Sequence, residues 1–178
     1  HAFILRNFSR PLQLMSQDFD AIIGNPPFLT YNRMGSEQQE NVKELLSYYN
    51  LHPGGGNVVN MDVSTLFVAR CLDLYLKDDG KLGFVITRGI FSGKQHEPLR
   101  KGEMNVDFDY DLILDLDDVR PLFKEEGEAH VPTAAILGTK GDELDYPVSL
   151  RKLTAQLPDR NLALADAEPE LESTDGEI

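Results

Sequence analysis

A short apolar run, Phe19-Asp20-Ala21-Ile22-Ile23-Gly24, stops in Asn25-Pro26-Pro27-Phe28, and this junction constrains the chain more than any other feature. Apart from Asp20 the run is continuously apolar, which predicts a parallel strand covered on both faces. Two prolines in a row cannot extend it, because each has a fixed φ and no N–H for the ladder. A strand that ends this way holds a stiff loop at the carboxyl edge of its sheet, where open α/β sheets bind ligands. The residues of the loop suit an amino group on a flat ring. The Asn25 side-chain oxygen and the Pro26 carbonyl can accept hydrogen bonds from an NH₂, and the prolines remove donors that would compete. Phe28 supplies a stacking face for a base taken out of its helix. Taken alone, Asn-Pro-Pro is also an ordinary turn sequence, so its neighbours decide between the two readings.

Those neighbours alternate between helical and extended patterns. Val42, Leu45, Leu46 and Tyr49 form an apolar stripe that predicts a helix over about 37–49. Pro53-Gly54-Gly55-Gly56 lacks both the Lys-Ser/Thr and the preceding strand of a phosphate-binding loop and reads as a flexible connection. Asn60 or Asp62 then caps a second helix running to about Lys77, with Val63, Leu66, Phe67, Cys71 and Leu74 on one face and Gly80 as its left-handed stop. Strands are predicted over 81–87, 111–117 and 131–137, with a short helix near 97–101 between the first two. The last two strands are joined by a loop and read as an antiparallel pair. Strands alternating with helices predict an α/β sheet.

Charge and cysteine content narrow the setting. The formal net charge is −13, of which six acids (Asp166, Glu168, Glu170, Glu172, Asp175 and Glu177) lie in the last thirteen residues without a basic partner; leaving them out gives about −7. DNA-binding surfaces need Lys and Arg for phosphate. An acidic chain of this kind therefore suits a high-salt cytoplasm, or else leaves the DNA-binding face to other parts of a longer protein. The single cysteine, Cys71, excludes an internal disulfide framework and fits a small buried apolar role in a reducing compartment. His1, His52, His96 and His130 have no metal-ligand spacing, so no metal is expected, and no apolar stretch is long enough to span a bilayer.

Over residues 18–140 the chain resembles the adenine-N6-specific DNA methyltransferases of restriction-modification systems, of the type IIG, Eco57I-like kind, in the carboxyl half of their catalytic domain. Asp18 to Phe28 is similar to their catalytic segment. Asn60-Met61-Asp62-Val63-Ser64-Thr65-Leu66-Phe67, leading to Leu76-Lys77-Asp78-Asp79-Gly80-Lys81-Leu82-Gly83-Phe84-Val85-Ile86, is similar to their next helix and strand. Val119-Arg120-Pro121-Leu122-Phe123 followed by Val131-Pro132-Thr133 resembles their late motif. The resemblance implies a partial Rossmann-like fold for S-adenosylmethionine-dependent methyl transfer, with a mostly parallel sheet and an antiparallel last strand. It implies that Asn25, Pro26, Pro27 and Phe28 act on the N6 amine of a flipped adenine. Phe28 and Phe123 would stack on that base, and Phe67 would line the cofactor's adenine pocket, although Phe67 and Phe123 also fit ordinary core positions.

No Gly-rich loop after a first strand, and no acidic ribose ligand, occurs ahead of Phe19. The expectation is therefore of residues 1–140 as the carboxyl half of a catalytic domain, inactive alone, and of 141–178 as a linker or acidic tail. The implied partners are double-stranded DNA, an upstream half that holds S-adenosylmethionine and a downstream target-recognition region, in a cytoplasmic enzyme. Two alternatives stay open. Similar tetrads serve enzymes that methylate a protein glutamine or an RNA guanine amine, and a methyltransferase-like half can persist as a non-catalytic interaction module.

Overall fold

The run Phe19–Gly24 forms strand β1 as predicted. The computed structural model describes residues 18–52, 61–120, 131–141, 143–159 and 161–178. Helix α1 (Ser36–Tyr48) opens with the Gln38 side chain accepting from the Gly35 N–H at 3.3 Å. Its stripe is the one read from the sequence, with Leu46 and Tyr49 buried and Val42 and Leu45 packed on the same core. Tyr49 donates its hydroxyl to Asp73 at 2.7 Å, which ties α1 to helix α2 (Ser64–Leu74).

Helix α2 ends three residues earlier than predicted, because tertiary pairing takes over. The Phe19 N–H donates to the Tyr75 carbonyl at 2.8 Å, and Leu76 pairs with Phe19 to open strand β2 (Leu76–Thr87). The Asp78-Asp79-Gly80 turn lies inside β2 as an excursion: the register jumps from Phe19↔Leu76 to Ala21↔Lys81. The left-handed residue there is Asp79 (φ 61°), not Gly80. Gly80 is required for space, since a Cβ would sit 2.7 Å from the Lys77 carbonyl oxygen.

A one-turn helix α3 (Glu97–Arg100) precedes strand β3 (Phe108–Arg120), and strand β4 (Thr133–Lys140) follows it in sequence. Residues 141–178, expected as a linker or acidic tail, instead contribute strand β5 (Ser149–Gln156), helix α4 (Leu164–Ala167) and strand β6 (Glu172–Glu177). All six strands belong to one sheet of order β1-β2-β4-β3-β5-β6. Strands β1, β2, β3 and β5 run one way, while β4 and β6 run the other. The β3–β4 pair is antiparallel, as the sequence predicted.

One rung, Gly24–Phe84–Ile136–Ile113–Leu150, crosses five strands and carries the core. Phe84, Ile136 and Ile113 are buried beneath Leu66, Val68 and Leu72. Each such side chain contributes roughly 1.5–3 kcal/mol on leaving water. The other face of the sheet is open at β1: Ile23 is 89% exposed, so the expected cover on both faces is absent there. An apolar cleft of about 400 Å³ runs over that face between Ile23, Val85, Ala135 and Leu137.

Candidate functional site

The like-directed strands β1, β2 and β3 end at one edge of the sheet, and the segments that follow β1 and β2 build the site. Gly24 is the last residue of β1 and lies opposite Phe84. A Cβ at Gly24 would fall 2.9 Å from the Phe84 ring, so only glycine lets β1 meet β2 at this closeness just ahead of the loop. From there the chain exposes Asn25, buries Pro26, exposes Pro27 and half-buries Phe28. Pro26 serves as the anchor, while Asn25 is exposed and Phe28 is partly so.

The loop is fastened immediately downstream. Thr30 forms an antiparallel bridge with Asp62; the Tyr31 N–H donates to the Met61 carbonyl at 2.8 Å, and the Val63 N–H donates to the Leu29 carbonyl at 3.0 Å. The tetrad is thus stitched to the segment that starts α2. Asp62, expected as the cap of that helix, lies one residue before the actual N-cap Val63 and accepts from the Ser64 N–H at 2.9 Å, an i to i+2 contact ahead of the first turn. Its carboxylate is also the centre of a buried polar cluster. Thr87 donates to Asp62 Oδ2 at 2.9 Å, the Ser64 hydroxyl donates to Oδ1, and His96 Nε2 lies 3.1 Å from Oδ2. Thr65 Oγ1 is 2.6 Å from His96 Nδ1 on the far side of the ring. Burial alone would push the Asp62 carboxyl up. Hydrogen bonding and charge from His96, with help from Ser64 and Thr87, more than offset this and hold it down to about 2.

Asp62 and His96 were not recognised as partners from the sequence, where one is a helix cap and the other an isolated histidine. Nothing local in the sequence links them. The same holds for Arg88, at the end of β2, which makes a bidentate contact with Asp115 of β3 (Nε–Oδ1 3.0 Å, Nη2–Oδ2 2.9 Å) and lies 5.5 Å from the Phe91 ring centre. Hydrogen bonding to Asp115 pushes the Arg88 guanidinium above its ordinary value. The Arg88 N–H also donates to the Pro132 carbonyl at 2.8 Å, joining the ends of β2 and β4 at this edge.

Phe67 is 42% exposed on α2 and is not a core residue. One helical turn further along the same face, Cys71 and then Tyr75 line a cleft of about 340 Å³ against Phe19, Ala21, Ile22 and Ile23 of β1. Phe67 does not line this cleft; it lies one turn before Cys71 on α2, whose C-terminal end is by the start of β1. Cys71 is half-buried, and burial raises its thiol. Asp20 forms an ion pair with Lys77 away from the loop, the structural role its position at the strand's start implied. Phe123 lies outside the described residues.

The Eco57I restriction-modification methylase family model matches residues 3–123 of the chain. No curated protein matches it. Among solved structures, the ATP-dependent type ISP restriction-modification enzyme LlaBIII, bound to DNA, superimposes with a TM-score of 0.56 at 16% identity, over 94% of this chain and 13% of that one. The DrdV–DNA complex gives 0.52 at 17% identity, over 91% and 17%. The type IIG restriction endonuclease BpuSI gives 0.51 at 14% identity, over 92% and 20%. Identities this low speak for a shared fold, and this chain spans only between 13% and 20% of the length of those three proteins.

Proposed function

This chain belongs to the Eco57I restriction-modification methylase family, and from that premise we propose that it carries the amine-binding part of an enzyme that methylates N6 of adenine in DNA. The observation that carries the proposal is the junction at Gly24. A strand packed against Phe84 delivers Asn25-Pro26-Pro27-Phe28 to the carboxyl edge of the sheet with Pro26 buried and Asn25 and Phe28 accessible.

An aromatic amine is a poor nucleophile because its lone pair is delocalised into the ring. The Asn25 side-chain oxygen and the Pro26 carbonyl accept its two hydrogens and favour a pyramidal nitrogen with its lone pair free. Positive charge grows on that nitrogen as the new bond forms, so fixed acceptors stabilise the transition state more than the ground state. Phe28 stacks on the flipped base and contributes about 1–3 kcal/mol; Phe123 is the second wall in this proposal. No strong base beside the tetrad is needed for this role. S-adenosylmethionine, when bound, supplies an electrophilic methyl group on a sulfonium.

The residues present suit the adenine end of that cofactor. Exposed Phe67, one helical turn before the Cys71 that lines the apolar cleft along β1, offers a stacking face for a purine. A holder for its methionine end is assigned here to an upstream half of the enzyme, and target recognition to a downstream region. The open side of β1 and the small share of the solved enzymes that this chain spans support that assignment. On this reading the isolated chain transfers no methyl group.

The test is methyl transfer from labelled S-adenosylmethionine to adenine-containing DNA by the complete enzyme and its Asn25→Ala variant. Label is expected at adenine N6 with the native enzyme and a loss of at least 10²-fold in the variant, the scale of removing one preorganised electrostatic contact. Label found in protein or RNA instead would refute the substrate assignment. Full activity in Asn25→Ala would refute the role of the tetrad.

A further inference from the structure

The loop that presents Asn25 has no helix or strand of its own to hold it, and the backbone contacts that fix it run to the residues on either side of Asp62. Two backbone hydrogen bonds, from Tyr31 to Met61 and from Val63 to Leu29, bridge Thr30 to Asp62. Asp62, at the middle of that stitch, is 6% exposed, and its two oxygens reach in different directions. Oδ1 accepts from the N–H and hydroxyl of Ser64 and sets the start of α2. Oδ2 accepts from Thr87, the last residue of β2, and faces the fully buried His96. An ionised carboxylate only accepts, so His96 Nε2 carries its hydrogen toward Asp62, and Nδ1 is left to the Thr65 hydroxyl. Gly89 makes room for the ring, since a Cβ there would come within 3.1 Å of it.

We propose that Asp62 is a positioning residue for methyl transfer: by binding the end of β2, the start of α2 and His96 at once, it fixes the loop that sets the angle of the Asn25 and Pro26 acceptors. The inference rests on the amine-binding reading of the tetrad. Asp62 touches no reacting atom; it acts by holding Thr30, two residues beyond Phe28, in a single register. The cluster is suited to the task because Asp62, Ser64, Thr65 and His96 are buried, Thr87 is half-buried and every member is partnered, so a displaced Asp62 takes an acceptor away from both Thr87 and His96. A loop held in this way returns to one geometry after each base enters and leaves.

The experiment compares Asp62→Asn, Thr87→Val and Thr87→Ser with Asn25→Ala in the complete enzyme, measuring kcat, KM for DNA, equilibrium S-adenosylmethionine binding and thermal unfolding. Asp62→Asn is expected to lower kcat per folded molecule on the order of 10²-fold, as a displacement near 1 Å does, with cofactor binding unchanged. Thr87→Val removes one donor to the same carboxylate without altering the buried charge; it is expected to lower kcat severalfold, and Thr87→Ser to restore it. A fall in unfolding temperature with native kcat in both Asp62→Asn and Thr87→Val would overturn the proposal and leave the cluster a stability element. Should Asn25→Ala also keep native kcat, the amine-binding reading itself fails, and the two failures are told apart by that variant.

Discussion

Gly24 decides how closely the reactive loop can follow the sheet. With a Cβ placed 2.9 Å from the Phe84 ring, Gly24→Ala must displace either β1 or the ring. The expected cost is about 1–3 kcal/mol in urea unfolding, the usual penalty of overpacking. Phe84→Leu should recover part of it, so that the double variant is more stable than the sum of the single changes requires. Asp62 has a different signature. Its folded carboxyl sits at about 2 against an ordinary 3.8, a depressed value. The stabilisation it gives is therefore complete above about pH 4 and is lost as pH falls toward 2, when the folded form also takes up a proton. The difference amounts to about 2 kcal/mol. Asp62→Asn should be less stable than the native chain at pH 7, and the gap should narrow as unfolding is measured at successively lower pH between 4 and 2. A gap that stays constant over that range would mean that the carboxylate charge is not what stabilises the cluster.

At the level of elements, the excursion within β2 tests whether a turn is chosen for its dihedral angles or for its room. Gly80→Ala keeps an ordinary φ, yet its Cβ would meet the Lys77 carbonyl oxygen at 2.7 Å and Leu76 as well. Gly80→Ala is expected to destabilise the chain by about 1–3 kcal/mol in chemical denaturation. A neutral result would show that the excursion relaxes freely. The sequence announced the elements that carry an apolar run or stripe: β1 by its continuous run, and α1, α2 and the cores of β2, β3 and β4 by their apolar positions. It did not announce β5 and β6, because neither has such a stripe. Every residue of β6 is exposed, and what holds it is backbone pairing with β5 and the Arg151–Asp175 ion pair. An acidic stretch with no apolar period reads as solvated tail, and only a strand already in place gives it a partner. The site divides the same way. Asn25 to Phe28 is contiguous and was legible, whereas Asp62, Thr87 and His96 come from separate elements and meet only once the sheet has formed.

For the whole molecule, the two sides of the sheet differ in cover. Leu46, Tyr49, Leu66 and Leu72 close one side, while the cleft between Ile23, Val85, Ala135 and Leu137 lies open on the other. Contiguous exposed apolar surface of this kind drives association. The isolated chain is expected to self-associate and to bind a hydrophobic dye, and Ile23→Lys should reduce both without lowering the unfolding temperature. Sedimentation and dye fluorescence measure the two effects; an isolated chain that stays monomeric and dark would indicate that this face is covered. No helix among the described residues is long and apolar enough to cross a membrane. The two ends of the sheet are unlike as well. Strand β6 lines its rim with Glu172, Asp175 and Glu177, and a row of carboxylates repels any further strand that would add there. Among the described residues β1 is the strand at the other end, and it carries Ala21, Ile23 and a single carboxylate, Asp20, paired with Lys77. Among those residues the sheet is therefore directional as a building block: charge fences its far rim, and a strand that pairs with β1 arrives next to Asn25.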